Sequence, residues 1–236
     1  MELGPRKIIE IGQFYITETV VLLWIISGIL ILFTFFATRK MQKVPRGLQA
    51  AAEWIVEFIY NFVEQTMGRN NLRFAPYVGT LLSVLVVGNL LALFGFRPIS
   101  ANVNTTFALA TITFFLIHYN AVKSRGALGY VKHLAEPNAL MLPINLISEL
   151  AFPVSLAFRL FGNITGGAII MSLLYGGLAS LSAKLTGSVP IFMIGIPLPF
   201  NFFFDIFEGI LQAYVFTTLS MVFISNGIGH EEKASH

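Results

Sequence analysis

Between Phe74 and Phe96 the chain runs for 23 residues without a charged side chain. As an α-helix such a run is about 35 Å long, enough to cross the roughly 30 Å hydrocarbon layer of a bilayer. Few folds can absorb it, because every face needs an apolar neighbour and every backbone group an internal partner. Nor does it stand alone. Val20–Phe36 is uncharged, Pro98–Val122 has His118 as its one basic side chain, and from Asn138 to Ala183 the charges are Glu149 and Arg159. Charged residues make up 11% of the chain and hydrophobic ones 56%, against about 25% charged in ordinary soluble domains. The expected class is an all-α polytopic membrane protein. The net charge of +3 comes from loop lysines and arginines and indicates no nucleic-acid partner. There is no Cys, which excludes disulfides and thiolate metal sites; no pattern calls for a metal or a cofactor.

The first 19 residues mix Glu2, Glu10 and Glu18 with Arg6 and Lys7, and the next apolar run ends in Thr38-Arg39-Lys40. This pattern predicts a retained span and not a cleaved leader. The spacing predicts spans over 17–38, 74–96, 98–122, 138–183 and 198–226, in one membrane domain covering 1–236 without internal repeats. The fourth run has two outlets: a helical hairpin or one long, steeply tilted helix, about 69 Å for its 46 residues. No turn signal precedes Gly176-Gly177, so the single helix is expected, with Pro153 as a kink candidate and a similarly long, tilted last helix. Residues 47–67 differ: Gln49, Glu53, Glu57, Asn61 and Glu64 share one helical face, and Leu48, Ala52, Ile55, Ile59 and Phe62 the other. This predicts an interfacial amphipathic helix, its acidic face open to lipid headgroups, a protein neighbour or water.

Positive charges cluster at Arg39, Lys40, Lys43, Arg46, Arg69 and Arg73, and again at Lys123, Arg125 and Lys132. Short loops rich in Lys and Arg face the cytoplasm. The expected orientation is an external N-terminus and a cytoplasmic tail, residues 229–236.

Arg159 is the anomaly. A guanidinium keeps its proton inside proteins, and placing it at a bilayer centre costs about 3 kcal/mol or more. Ser155, Arg159, Asn163 and Gly166 fall on one helical face, extended by Ile170. Gly162 and Gly166 make a small-residue surface against which another helix can pack. Asn201, Asp205, Glu208 and Gln212 form a second polar stripe on the last helix. A carboxyl group deprived of water favours its neutral form, so such acids can take up and release protons, whereas Gln212 can only hydrogen-bond. The alternative is that Asp205 or Glu208 simply neutralises Arg159. Glu149, ten residues before the arginine, lies toward the cytoplasm, as a helix-end carboxylate or as a proton site. Acids at one depth, a fixed positive charge midway and an acid beyond it describe a proton path broken in the middle. A carrier must bridge such a break. His118 belongs to no motif and reads as structural or interfacial.

Two stretches, "PVSLAFRLFGN" (153–163) and "LQAYVF" (211–216), resemble the signature of subunit a of the bacterial F-type ATP synthase membrane sector, and "GNLLALFGFRPISANVNTTFALA" (88–110) extends the likeness. The resemblance implies a non-catalytic, proton-translocating stator in the bacterial plasma membrane. It would pack against a rotating ring of c subunits and work with peripheral-stalk b subunits and the rest of the synthase. Arg159 would face the ring carboxylate. Asp205, Glu208 and the Asn163 region would lie on the external half-channel, Glu149 on the cytoplasmic one, and Ser155 and Gln212 would tune the arginine. The family often has Glu or His nine residues after the arginine, where this chain has Ala168, which shifts the external relay to Asp205 and Glu208. The competing readings are a stand-alone proton-coupled transporter, which would favour inverted repeats and broken helices, and an intramembrane hydrolase, for which no triad or HExxH pattern exists.

Overall fold

The computed structural model describes residues 7–11, 14–136, 138–186 and 192–228. The tail at 229–236, Arg6, and the end of the turn expected to close the fourth run lie outside these residues. Five helices are long and apolar enough to cross a membrane. They are α1 (Glu18–Thr38), α3 (Ala75–Leu90, with short 3₁₀ turns at Arg69–Phe74 and Leu91–Phe94), α4 (Val103–Leu134), α5 (Leu142–Thr186) and α6 (Pro197–Ile228). Between the first two lies α2 (Leu48–Met67). A short antiparallel ribbon, β1 (Lys7–Ile11) with β2 (Phe14–Thr17), precedes α1. The sequence reading missed it because its two strands are only 5 and 4 residues long.

The fourth run is one continuous helix of 45 residues, not a hairpin. At 1.5 Å per residue it is about 68 Å long, twice the hydrocarbon thickness, which accords with a steep tilt. Pro153 sits in its interior. It cannot donate the backbone hydrogen bond that the carbonyl of Glu149 would otherwise receive, which loosens the helix at that turn.

Two boundaries differ from expectation. The span expected from residue 98 starts at Val103, because Ile99–Ala101 forms a buried 3₁₀ turn and Asn102 caps the helix, its Oδ1 accepting from the Asn104 N–H at 3.0 Å. The same span runs on past Val122 through the basic segment. Gly126 breaks it with φ 73° and ψ 160°, a backbone that glycine adopts without steric cost, and a further helical stretch follows to Leu134.

α2 is amphipathic as expected, but its apolar face packs on the rest of the chain only in its second half. Ile59, Phe62, Val63 and Met67 are buried against Phe74 and Val78 of the next hairpin arm and Met221 and Ile224 of α6. Leu48, Ile55 and Trp54 stay exposed. Gln49, expected on the open polar face, is buried instead. Its amide exchanges two hydrogen bonds of 2.9 Å with the Gln42 backbone and ties down the loop after α1.

A second core joins α3, α4, α5 and α6 through Leu81, Leu85, Ala110, Leu156, Ala157, Leu160, Ala213 and Phe216. A third packs Leu22 and Ile26 of α1 on Ile99. Gly88 makes that junction possible: a Cβ there would lie 2.3 Å from Ile99 Cδ1, 2.6 Å from its Cγ1 and 3.3 Å from Ile26 Cδ1. Ile99 is fully buried and cannot swing away. We therefore expect Gly88→Val to cost about 1–3 kcal/mol of stability by overpacking, seen as a lowered thermal unfolding midpoint in detergent. Gly28→Val, at a glycine with open space around it, should leave the midpoint nearly unchanged; equal effects would contradict the assignment.

Candidate functional site: two cavities and an exposed arginine on α5

α5 carries one cavity near its start and another at its middle, with Arg159 between them. The larger cavity, about 580 Å³, gathers Asp205 and Glu208 from α6, Glu18 from the start of α1, Arg97 and the end of α3, and Thr165, Gly167, Ala168 and Met171 among others of α5. Asn201 lines it too and donates to Tyr175 Oη at 2.6 Å, joining α6 to α5. Asp205 and Glu208 lie in a π-helical stretch of α6, Phe202–Glu208, a local widening often found at functional sites. Just past it the buried Asn89 donates to the Gly209 carbonyl at 3.0 Å and accepts from the Ser100 hydroxyl. That network pins α3, the Ile99–Ala101 turn and α6 together beneath Glu208.

Glycine sets the α5 wall. A Cβ on Gly167 would stand 2.7 Å from Phe204 Cδ1 and 3.0 Å from Glu208 Oε2, so the Glu208 carboxylate lies against the α5 backbone. Glu208 Oε2 and the nearby Thr165 Oγ1 are buried without a hydrogen-bond partner among the described residues. Buried polar atoms in that state are costly and rare.

Near the start of α5 a cavity of about 230 Å³ is lined by His118, Arg125 and Tyr130 of α4, Ser148 and Glu149 of α5, and Asn226 of α6. Glu149 Oε2 lies 3.0 Å from His118 Nε2 and accepts from the Tyr130 hydroxyl. The Arg125 guanidinium donates to the Asn226 carbonyl at 3.2 Å. α4 starts just after Ala101 at the larger cavity and reaches the smaller one, while α5 passes the two in the opposite order.

Arg159 lies between, about 15 Å along α5 from Glu149 and about 12 Å short of Gly167 by helical rise. Ser155, Arg159 and Asn163 are exposed, while Leu156, Ala157, Leu160 and Ile164 on the opposite face are buried. Arg159 forms no ion pair with Asp205 or Glu208, and no hydrogen bond to any described residue. Its face is open: Ser155 and Asn163 flank it one turn away on either side, and the adjacent Phe158 is 53% exposed. A Cβ added to Gly162 or Gly166 would meet nothing within 4 Å. The stripe read from the sequence is thus a bare surface of this chain.

Residues 20–225 match the family model of the ATP synthase A chain. The chain belongs to that family. It is 34% identical to the ATP synthase subunit a of Moorella thermoacetica, over 96% of this chain and 98% of the relative. It is 36% identical to ATP synthase subunit a 2 of a Bradyrhizobium species, over 98% and 97%. It is 32% identical to a sodium-ion-specific ATP synthase subunit a of Propionigenium modestum, over 93% and 76%. Membership makes this a multi-pass subunit of the ATP synthase membrane sector and leaves the stand-alone transporter and hydrolase readings without support.

Within the chain, Asp205 and Glu208 share one cavity, and Glu149 sits in the other. Gln212 is buried and does not line the acidic cavity. It adjoins Ala213, which packs with Leu156 and Leu160 around the level of Arg159. Asn163 lies on the open face, outside that cavity, whereas Ala168 lines it. His118, expected to be structural or interfacial, contacts Glu149, 31 positions away, across two helices, a contact that helical spacing could not reveal. Tyr130, Glu18 and Arg97 also escaped, since each reaches its cavity from a different helix or turn.

The chain lacks cysteine, so single cysteines can report on water. Asn201→Cys and Ala168→Cys should react readily with a small hydrophilic thiol reagent. Phe216→Cys, at a core position 2% exposed, should react roughly tenfold more slowly. Equal rates at all three would mean that the acidic cavity is dry.

Proposed function

We propose that this chain is the proton-conducting stator of a rotary ATP synthase. The observation that carries the reading is Arg159: a permanent charge on an open, glycine-bearing face, between two polar cavities at different depths along one helix. A charge so placed needs an anion from outside the chain. A ring of c subunits, each with a membrane-buried carboxylate, supplies one. When deprotonated, that carboxylate is held at Arg159; when protonated it is neutral and can turn into lipid.

The acidic cavity then serves as the external half-channel, passing protons by way of Asp205 and Glu208 to the ring. The cavity at Glu149 serves as the cytoplasmic half-channel. Arg159 repels protons and stops them from short-circuiting between the two. Ser155 and Asn163 flank the guanidinium on the ring-facing surface, and Gln212 fixes the packing behind it. The N-terminus is external and the tail cytoplasmic, in a bacterial plasma membrane, because the smaller cavity shares its end with Lys123, Arg125 and Lys132. Peripheral-stalk b subunits would hold the chain against rotation. The transported ion is the proton; the sodium specificity in the Propionigenium modestum name belongs to that relative.

Arg159→Ala should abolish ATP-driven acidification of inverted vesicles in sodium-free buffer while the complex still assembles. Asp205→Asn combined with Glu208→Gln should slow proton transfer roughly tenfold or more, again with normal assembly. Intact coupling in the first variant would overturn the role of the charge, and normal flux in the second would remove both acids from the path.

A further inference from the structure

The smaller cavity holds a feature that the half-channel scheme does not require. His118 Nδ1 lies 2.9 Å from the Phe114 carbonyl oxygen, one helical turn back. A carbonyl only accepts, so Nδ1 carries a hydrogen and donates. The imidazole orientation is thereby fixed, and Nε2 is left 3.0 Å from Glu149 Oε2. Two acceptors cannot face each other at that distance without a proton between them. The contact therefore contains one: either His118 is an imidazolium beside a carboxylate, or Glu149 is a carboxylic acid donating to a neutral ring. Tyr130 donates to the same carboxylate oxygen and stabilises its negative form.

We propose that His118 and Glu149 act as one proton-holding unit, with His118 as a proton-carrying residue of the path and Tyr130 as the positioning residue that steadies Glu149. This rests on the reading of Glu149 as the cytoplasmic release point. In one cycle a proton arriving from the ring binds the Glu149 carboxylate while His118 is an imidazolium. The pair then holds two protons and has lost its charge attraction. One proton passes to water in the cavity, and the remaining one is again shared between Oε2 and Nε2. One proton enters and one leaves, and only O–H and N–H bonds change.

The surroundings suit exchange better than a sealed tether. The His118 and Glu149 side chains keep 26% and 30% of their exposure, and both line the cavity. The other titratable or charged lining groups are Tyr130 and Arg125, both on α4; α6 contributes Phe223, Asn226 and Gly227, none of which titrates. Arg125 is engaged with the Asn226 carbonyl at 3.2 Å, and its positive charge favours departure of the second proton.

The test uses the assembled synthase in vesicles and measures initial proton-pumping rates from about pH 6 to 8 on the cytoplasmic side, the range over which imidazole changes charge. His118→Gln keeps a hydrogen-bonding amide beside Glu149 but cannot titrate. It should slow pumping roughly tenfold and flatten the pH profile. Glu149→Gln should do the same, and the double variant should be no slower than either single one, as for residues that act as a unit. Wild-type rates in His118→Gln beside slow pumping in Glu149→Gln would overturn the paired unit and leave Glu149 as the release point. Wild-type rates in both would overturn the release point itself. If His118→Gln fails to assemble, nitrogen NMR of the wild-type complex decides: the His118 ring should exchange between two protonation states over that pH range, and a single fixed state would overturn the proposal.

Discussion

A guanidinium cannot shed its charge, and in this chain it has been set on a helix whose other residues for two turns on either side are apolar or uncharged. The fold does not neutralise it from within. The acids on α6 that could have done so belong to a cavity further along α5, and the face that carries Arg159 is left bare. Leu156, Ala157 and Leu160 hold the opposite face of the same turns against Ala213 and Phe216. Packing on one side thus fixes the direction of the charge on the other. The position of every other polar group is meaningful only relative to that point.

α5 works as a ruler in this arrangement. At 45 residues it is long enough to present Glu149, Arg159 and Gly167 at three separate depths. The cavities differ in chemistry as well as in depth. The larger one is built around two acids, with Glu208 Oε2 unpartnered and pressed on a glycine backbone. The smaller one is a tied network in which His118, Tyr130 and Glu149 already satisfy one another. A loose acidic chamber suits uptake from dilute solution, and a tight pair suits handing over one proton at a time. Family membership gives these features a setting, the membrane sector of an ATP synthase.

Much of this was legible from spacing alone. The Ser155–Arg159–Asn163 stripe follows from helical periodicity, and so does the nearness of Asp205 to Glu208. The run around Arg159, with Glu149 as its one other charge, left a hairpin or one long helix open, and the lack of a turn signal favoured the helix that forms. What spacing could not carry was any contact between helices. His118 looked idle because its partner lies 31 residues away on α5. Gln49 looked like part of an open polar face because nothing local reveals that its amide folds back on the Gln42 backbone. The continuation of α4 through a basic segment was hidden by the usual equation of charge with loop, although Lys and Arg are good helix formers. Gly126, which breaks that helix, was one glycine among 20.

The most direct test of the central claim is a map of the assembled membrane sector that shows what stands opposite Arg159. The predicted result is a helix of a ring subunit passing close over Gly162 and Gly166, with its buried carboxylate at the level of the guanidinium. Arg159 covered by lipid or by a stalk helix, or turned inward to pair with Asp205 or Glu208, would contradict it.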